Sequence, residues 1–165
     1  MRRAEREEFE WLFRAAYPSV RRAVYLVMRD PAGAEEVAQD AFVRLYEKWS
    51  TVSGYEHPEA WVRKVAVRMA IREAGRERRR PLLEGTTTAV ATTQVDPPDI
   101  ALAEAVATLT PMQRAAVVLY YFEDRPVLEV ARVLQVSTST VKQHLHRARA
   151  RLAATLGEEV DGDVR

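Results

Sequence analysis

Residues 81–98 decide what this chain can fold into. On either side of them, apolar residues recur at the three- and four-residue steps of an α-helix, and between Pro81 and Pro98 that spacing stops. The stretch holds Thr86, Thr87 and Thr88, then Thr92 and Thr93, then the Pro97-Pro98 pair, and reads as a flexible linker or a disordered spacer. A chain of 165 residues interrupted there predicts two small domains, 1–80 and 99–156, with a short acidic tail over 157–165. Domains of that size have thin cores, for which packed helices are the natural solution.

In the first domain, Phe9, Leu12, Phe13 and Ala16 mark one helix. Pro18 allows a break and a restart, after which Val20, Val24, Val27 and Met28 form a second stripe. Asp30-Pro31 is an N-cap and first-turn pair for a third helix, which buries Val37, Ala41, Leu45 and Trp49, widened by Phe42 and Tyr46. Residues 50–57 read as a loop. Pro58 opens a long fourth helix with Trp61, Val65 and Met69 inside, ending near Arg78-Arg79-Arg80. In the second domain, Ile100, Ala103, Val106, Ala107 and Leu109 lie on one side of a helix, and Thr110-Pro111 caps another through Phe122. Two further helices follow, roughly Val127–Leu134 and Thr138–Leu156. No strand alternation and no repeat at solenoid period is visible. The expected fold class is all-α, with two helical domains.

Composition excludes several functions. Apolar residues make up 47% and charged residues 30%, a globular balance. Cysteine is absent, which removes disulfides and thiolate zinc sites. Of the three histidines, His144 and His146 point apart on a helix and His57 is remote, so no metal site and no cofactor are expected. The longest apolar run, Ala115 to Phe122, is far short of the roughly 20 residues that span a bilayer. The first residues are charged and show no signal peptide, so the cytoplasm is the expected location. There is no G-x-x-x-x-G-K phosphate loop, no H-E-x-x-H and no nucleophile–base constellation, so the chain reads as a non-enzyme with no catalytic residue.

The net charge is only +1, but its distribution is uneven. Basic residues crowd Arg63 to Arg80 and return at Lys142, Arg147, Arg149 and Arg151, while residues 81–110 carry acidic residues and no basic one. Two basic patches with an acidic connector suggest two contact points on one polyanion.

Three local patterns sharpen this. Val127 through Lys142 reads as a helix-turn-helix, with Ala131 at the helix crossing, Leu134 and Val136 flanking the turn, and Ser137 as N-cap. On its second helix Val141, Leu145, Ala148 and Leu152 form the buried stripe, leaving Thr138, Ser139, Lys142, Gln143, His146 and Arg149 outward for a DNA major groove. A plain helical bundle with a solvated basic face is the bland alternative. Next, Lys64, Arg68, Arg72 and Arg76 follow i+4 spacing along the fourth helix, continued by Arg79 and Arg80, opposite Trp61, Val65 and Met69. Stacked like charges cost about 0.2–0.5 kcal/mol per pair, which a bound polyanion would relieve; an arginine-rich proteome is the alternative. Last, Glu36, Gln39, Asp40 and Glu47 share a face of the third helix, which on physics alone is simply its wet side.

Together these segments resemble the extracytoplasmic-function group of the sigma-70 family. Ala34-Glu35-Glu36-Val37-Ala38-Gln39-Asp40-Ala41-Phe42 is similar to a region-two segment of that family, and His57-Pro58-Glu59-Ala60-Trp61-Val62 to the start of its promoter-melting helix. Leu109-Thr110-Pro111-Met112-Gln113-Arg114 resembles the beginning of region four, and Glu129 through Leu152 its helix-turn-helix. The resemblance implies a sigma factor that binds core RNA polymerase and directs promoter-specific initiation. It implies that Glu36, Gln39, Asp40 and Glu47 dock on the clamp helices of the largest subunit. Ser53, Tyr55 and His57, in a loop that receives a flipped base in similar proteins, together with Lys64, Arg68, Arg72, Arg76, Arg79 and Arg80, would meet the melted minus-ten region. Ser137, Thr138, Ser139, Thr140, Lys142, Gln143, His144, His146, Arg147 and Arg149 would meet the duplex minus-thirty-five element. Trp61 is expected to pack inside. The acidic linker would thread the RNA exit path. The polymerase flap region is an implied contact, and an anti-sigma factor is a further candidate partner.

The chain departs from the family pattern at Arg68 and Arg72, where Asn and Asp are frequent, at Gln135, where the turn usually has glycine, and at His144, where Arg is common. A Gln at φ > 0 costs about 1 kcal/mol. The rival readings are a stand-alone helix-turn-helix repressor, which would leave the first domain without a task, and an adaptor that uses only the acidic face.

Overall fold

The computed structural model of the protein describes residues 2–79 and 97–157, and all regular structure among them is helical. Most of the expected linker, Arg80 and the tail from residue 158 lie outside the described residues. The chain divides into two compact units, residues 1–77 and 78–165.

In the first unit, α1 (Arg3–Met28) is one helix with Pro18 inside it, not the two expected. An interior proline costs about 3 kcal/mol. It is tolerated because α1 packs along α2 (Pro31–Glu47) and buries Leu12 and Ala16 before the proline and Val20, Val24 and Val27 after it. Ser19 adds a bond from its hydroxyl to the Ala16 carbonyl (3.0 Å). The Asp30 carboxylate accepts from the Ala32 N–H (3.2 Å) and starts α2 as its sequence predicts. Gly33 makes room for that cap, since a Cβ there would lie 2.6 Å from Asp30 Oδ2. Phe9, Phe13 and Tyr17 of α1 meet Phe42 and Tyr46 of α2 and Trp49 through edge and tilted ring contacts, with centroids 5.0–5.4 Å apart. The segment read as a loop begins instead with a short helix, α3 (Trp49–Val52), because Trp49 and Val52 are both buried.

Helix α4 (Pro58–Arg79) starts where Pro58 predicts, but its core side differs from the expected one. Val62, Ala66, Val67, Ala70 and Ala74 are buried; Trp61, Val65 and Met69 are only half-buried.

The second unit packs α5 (Pro97–Ala107), α6 (Pro111–Val117) and α7 (Val127–Leu134) on α8 (Thr138–Leu156). In α5 it is Ala105 and Val106 that are buried, while Ala107 is exposed. Thr110 and Gln113 form a reciprocal capping box at the start of α6. The helix then widens into a π-helical turn, Val118–Phe122, which buries Val118 and Leu119 and leaves Tyr121 and Phe122 exposed. Gln135 ends α7 in the left-handed conformation (φ 58°, ψ 43°), so the side chain stands where glycine is favoured.

Candidate nucleic-acid interface and docking face

Helix α8 is built as a two-sided element. Val141, Leu145 and Ala148 are fully buried, and Thr138, Ser139, Lys142, Gln143, His146 and Arg147 are exposed. Ser137 caps the helix by accepting from the Thr140 N–H (3.1 Å), and its hydroxyl also meets Ser139 Oγ (3.0 Å) and Thr140 Oγ1 (2.8 Å). The Ser137 and half-buried Thr140 hydroxyls are therefore committed to shaping the helix N-terminus. The free amides and positive end of that N-terminus suit an anionic ligand.

Besides Thr140, two members of the expected contact set are less exposed than the rest. His144 follows Val141 by three residues and precedes Ala148 by four, so it lies on the packed side, half-buried, with a buried Nδ1. Burial, and then the neighbouring Arg147 charge, hold its imidazole below the ordinary histidine range. Arg149 is also half-buried and keeps interactions within the protein.

On α4, Arg72 and Arg76 are exposed and Lys64 and Arg68 half-exposed; Arg76 pairs with Glu73 (3.4 Å). Trp61 precedes Lys64 by three residues and Arg68 by seven, so the indole lies on the basic side of the helix, not opposite it. Val65 stands in the same relation to Arg68 and Arg72, and Met69 to Arg72 and Arg76. The result is a basic face interleaved with half-buried apolar surface. The side chain of Arg79, like Arg80, is outside the described residues. In the loop before α4, Ser53, Tyr55 and His57 are exposed, and Glu59 and Glu56 flank the His57 ring at 3.2 and 3.8 Å.

Glu36, Gln39, Asp40 and Glu47 are all exposed on α2. Between them lies Val43, 55% exposed, a residue the acidic pattern alone does not single out. Tyr46, expected in the core, is 46% exposed beside it. Val43 and Tyr46 are thus exposed apolar side chains with acidic neighbours. Glu35 accepts from the Tyr17 hydroxyl (2.7 Å), Arg21 (3.1 Å) and the Gln39 amide (3.2 Å). The Tyr17 and Arg21 bonds hold the Glu35 carboxyl below its usual range, while burial and then Glu35 itself push the Tyr17 hydroxyl up. In the second unit, Tyr121, Phe122 and Leu128 are each at least half exposed. The sequence signal for Tyr121 and Phe122 is an apolar run, Ala115 to Phe122, longer than one helix face can bury. Among the described residues, no group of three or more His, Asp or Glu is placed to hold a metal ion, and no helix is long and apolar enough to cross a membrane.

These surfaces coincide with family matches. The models for sigma-70 region 2 and sigma-70 region 4 match residues 12–80 and 99–152. The chain is 32% identical over 164 residues to the RNA polymerase sigma-E factor of Streptomyces avermitilis, covering 96% of this chain and 89% of that one. It is 31% identical over 156 residues to the ECF RNA polymerase sigma factor SigM of Mycobacterium tuberculosis, covering 93% and 79%. Its fold is similar to that of the sigma factor RpoE of Bartonella quintana, solved with the anti-sigma factor NepR, at a TM-score of 0.73 and 20% identity over 93% of this chain and 99% of that one. Nothing in these matches supports a stand-alone repressor, since they run through both units. The chain belongs to the extracytoplasmic-function group of the sigma-70 family of RNA polymerase sigma factors.

Proposed function

We propose a division of labour among the surfaces of this sigma factor. The exposed side of α2, with Glu36, Gln39, Asp40 and Glu47 around Val43, docks on the clamp helices of the largest polymerase subunit. The exposed Tyr121, Phe122 and Leu128 suit the flap region. Helix α8 enters the major groove at the minus-thirty-five element, with Thr138, Ser139, Lys142 and Gln143 near base edges and Arg147 on phosphate. Helix α4 and the Ser53–His57 loop take the minus-ten strand as it separates. Extruding a base costs a few kcal/mol, and binding of the freed strand along Lys64, Arg68, Arg72 and Arg76 offsets that cost. The chain performs no bond chemistry of its own, and it acts in the cytoplasm on the nucleoid. A partner covering the α2 face would exclude polymerase, which is the action of an anti-sigma factor.

The observation that carries this reading is the presence, on one chain, of a capped helix-turn-helix, a separate basic helix and an exposed acidic face that includes Val43. Run-off transcription on sheared genomic DNA with purified core polymerase tests it. Discrete transcripts are expected only when the protein is added, and Gln39→Ala with Asp40→Arg abolishes them. Transcripts that persist undiminished in that variant contradict docking through α2.

A further inference from the structure

We propose that Glu35 is a positioning residue for polymerase docking: it holds the Gln39 side chain by its NH2 group, so that α2 presents an all-acceptor face to arginine and lysine side chains of the partner. The inference rests on the docking role assigned to Gln39 above.

A glutamine amide is ambivalent, with two donors on nitrogen and an acceptor oxygen at the opposite corner. At an exposed position it would sample both orientations. Here Gln39 Nε2 lies 3.2 Å from Glu35 Oε1, one turn back on the same helix. An ionised carboxylate only accepts, so the group facing it is the NH2 and the carbonyl is turned away. The neighbours on that face are the exposed carboxylates of Glu36 and Asp40. With the Gln39 NH2 group held against Glu35, the outward groups on this turn are the Gln39 carbonyl and the Glu36 and Asp40 carboxylates, all acceptors. Guanidinium and ammonium groups, which only donate, match such a face.

Glu35 is itself held in place. The Tyr17 hydroxyl donates to the same oxygen that takes the Gln39 amide (2.7 Å), and Arg21 Nη1 donates to the other (3.1 Å). Both come from α1, so the orientation of Gln39 is tied to the α1–α2 packing. Arg21 also offsets the Glu35 charge, which leaves the outward acidity to Glu36 and Asp40.

The test is a double-mutant cycle on full-length protein, reading affinity for core polymerase and thermal stability together. Glu35→Gln keeps the shape but replaces the acceptor-only group, so Gln39 loses its fixed orientation. It should weaken core binding about tenfold and have no further effect on affinity in a Gln39→Ala background. Tyr17→Phe, which keeps the ring in the aromatic cluster and removes one tether from Glu35, should weaken binding in the same Gln39-dependent way. Any loss of stability, by contrast, should be equal in both backgrounds. An equal loss of affinity in both backgrounds, with Gln39→Ala still weakening binding, overturns the positioning role and leaves the docking face intact. Unchanged affinity in Gln39→Ala alone overturns the docking assignment on which it rests.

Discussion

Gln135 holds its backbone at φ 58° with its N–H on the Ala131 carbonyl, and Val136 N–H shares that acceptor at 3.1 Å. The resemblance to a family with glycine at this turn raises a positive φ as a condition, and the structure shows that Gln135 meets it. The conformation has a cost: Gln135→Gly should raise stability, by about 0.5–1 kcal/mol once the extra unfolded freedom of glycine is subtracted. Chemical denaturation of both forms checks this, and a destabilised glycine variant contradicts it. His144 shows the opposite case. Its spacing from Val141 and Ala148 places it on the packed side, yet the resemblance to a position that is often Arg drew it toward DNA. Its folded pKa is depressed, so the unfolded chain binds the proton more readily. Stability is then full above the ordinary histidine value, about 6.5, and is lost as the pH falls below it toward the folded value. Thermal melting should show this loss between neutral and mildly acid pH. His144→Phe should flatten that part of the profile; a profile unchanged by the substitution contradicts the assignment.

At the scale of elements, spacing located the helices but not always the side that faces inward. In α4 the eye goes to Trp61, Val65 and Met69 because they are large. The buried stripe is instead made by Val62, Val67 and the small residues Ala66, Ala70 and Ala74, and close packing against alanine explains why the large side chains stay at the margin. Ala70→Leu should therefore cost about 1–3 kcal/mol through overpacking, although leucine is the larger hydrophobe. Met69→Leu, half-buried, should change stability little; equal effects of the two in denaturant melts would contradict the register. The same physics explains Pro18. Local sequence rules favour a break there, but burial on both sides of the proline outweighs one lost hydrogen bond, and no local signal reports that.

For the whole molecule, the two helical halves, the caps at Asp30, Thr110 and Ser137, and the helix-turn-helix were readable, because each rests on contacts close in sequence. On the exposed side of α2, the resemblance singles out Glu36, Gln39, Asp40 and Glu47, but neither Val43 nor the role of Glu35. Val43 and Glu35 matter through what surrounds them, and only the folded α1–α2 pair shows one exposed among acids and the other gathering three donors. In the proposed division of labour each unit has a distinct task on promoter DNA, and strand opening falls to α4. Permanganate reactivity of unpaired thymines tests that most directly, on a promoter recovered by run-off transcription. Holoenzyme with the wild-type protein should expose a bubble around the minus-ten region, and Arg72→Glu with Arg76→Glu should abolish it while core binding is retained. A bubble of unchanged extent and yield in that variant would contradict the assignment.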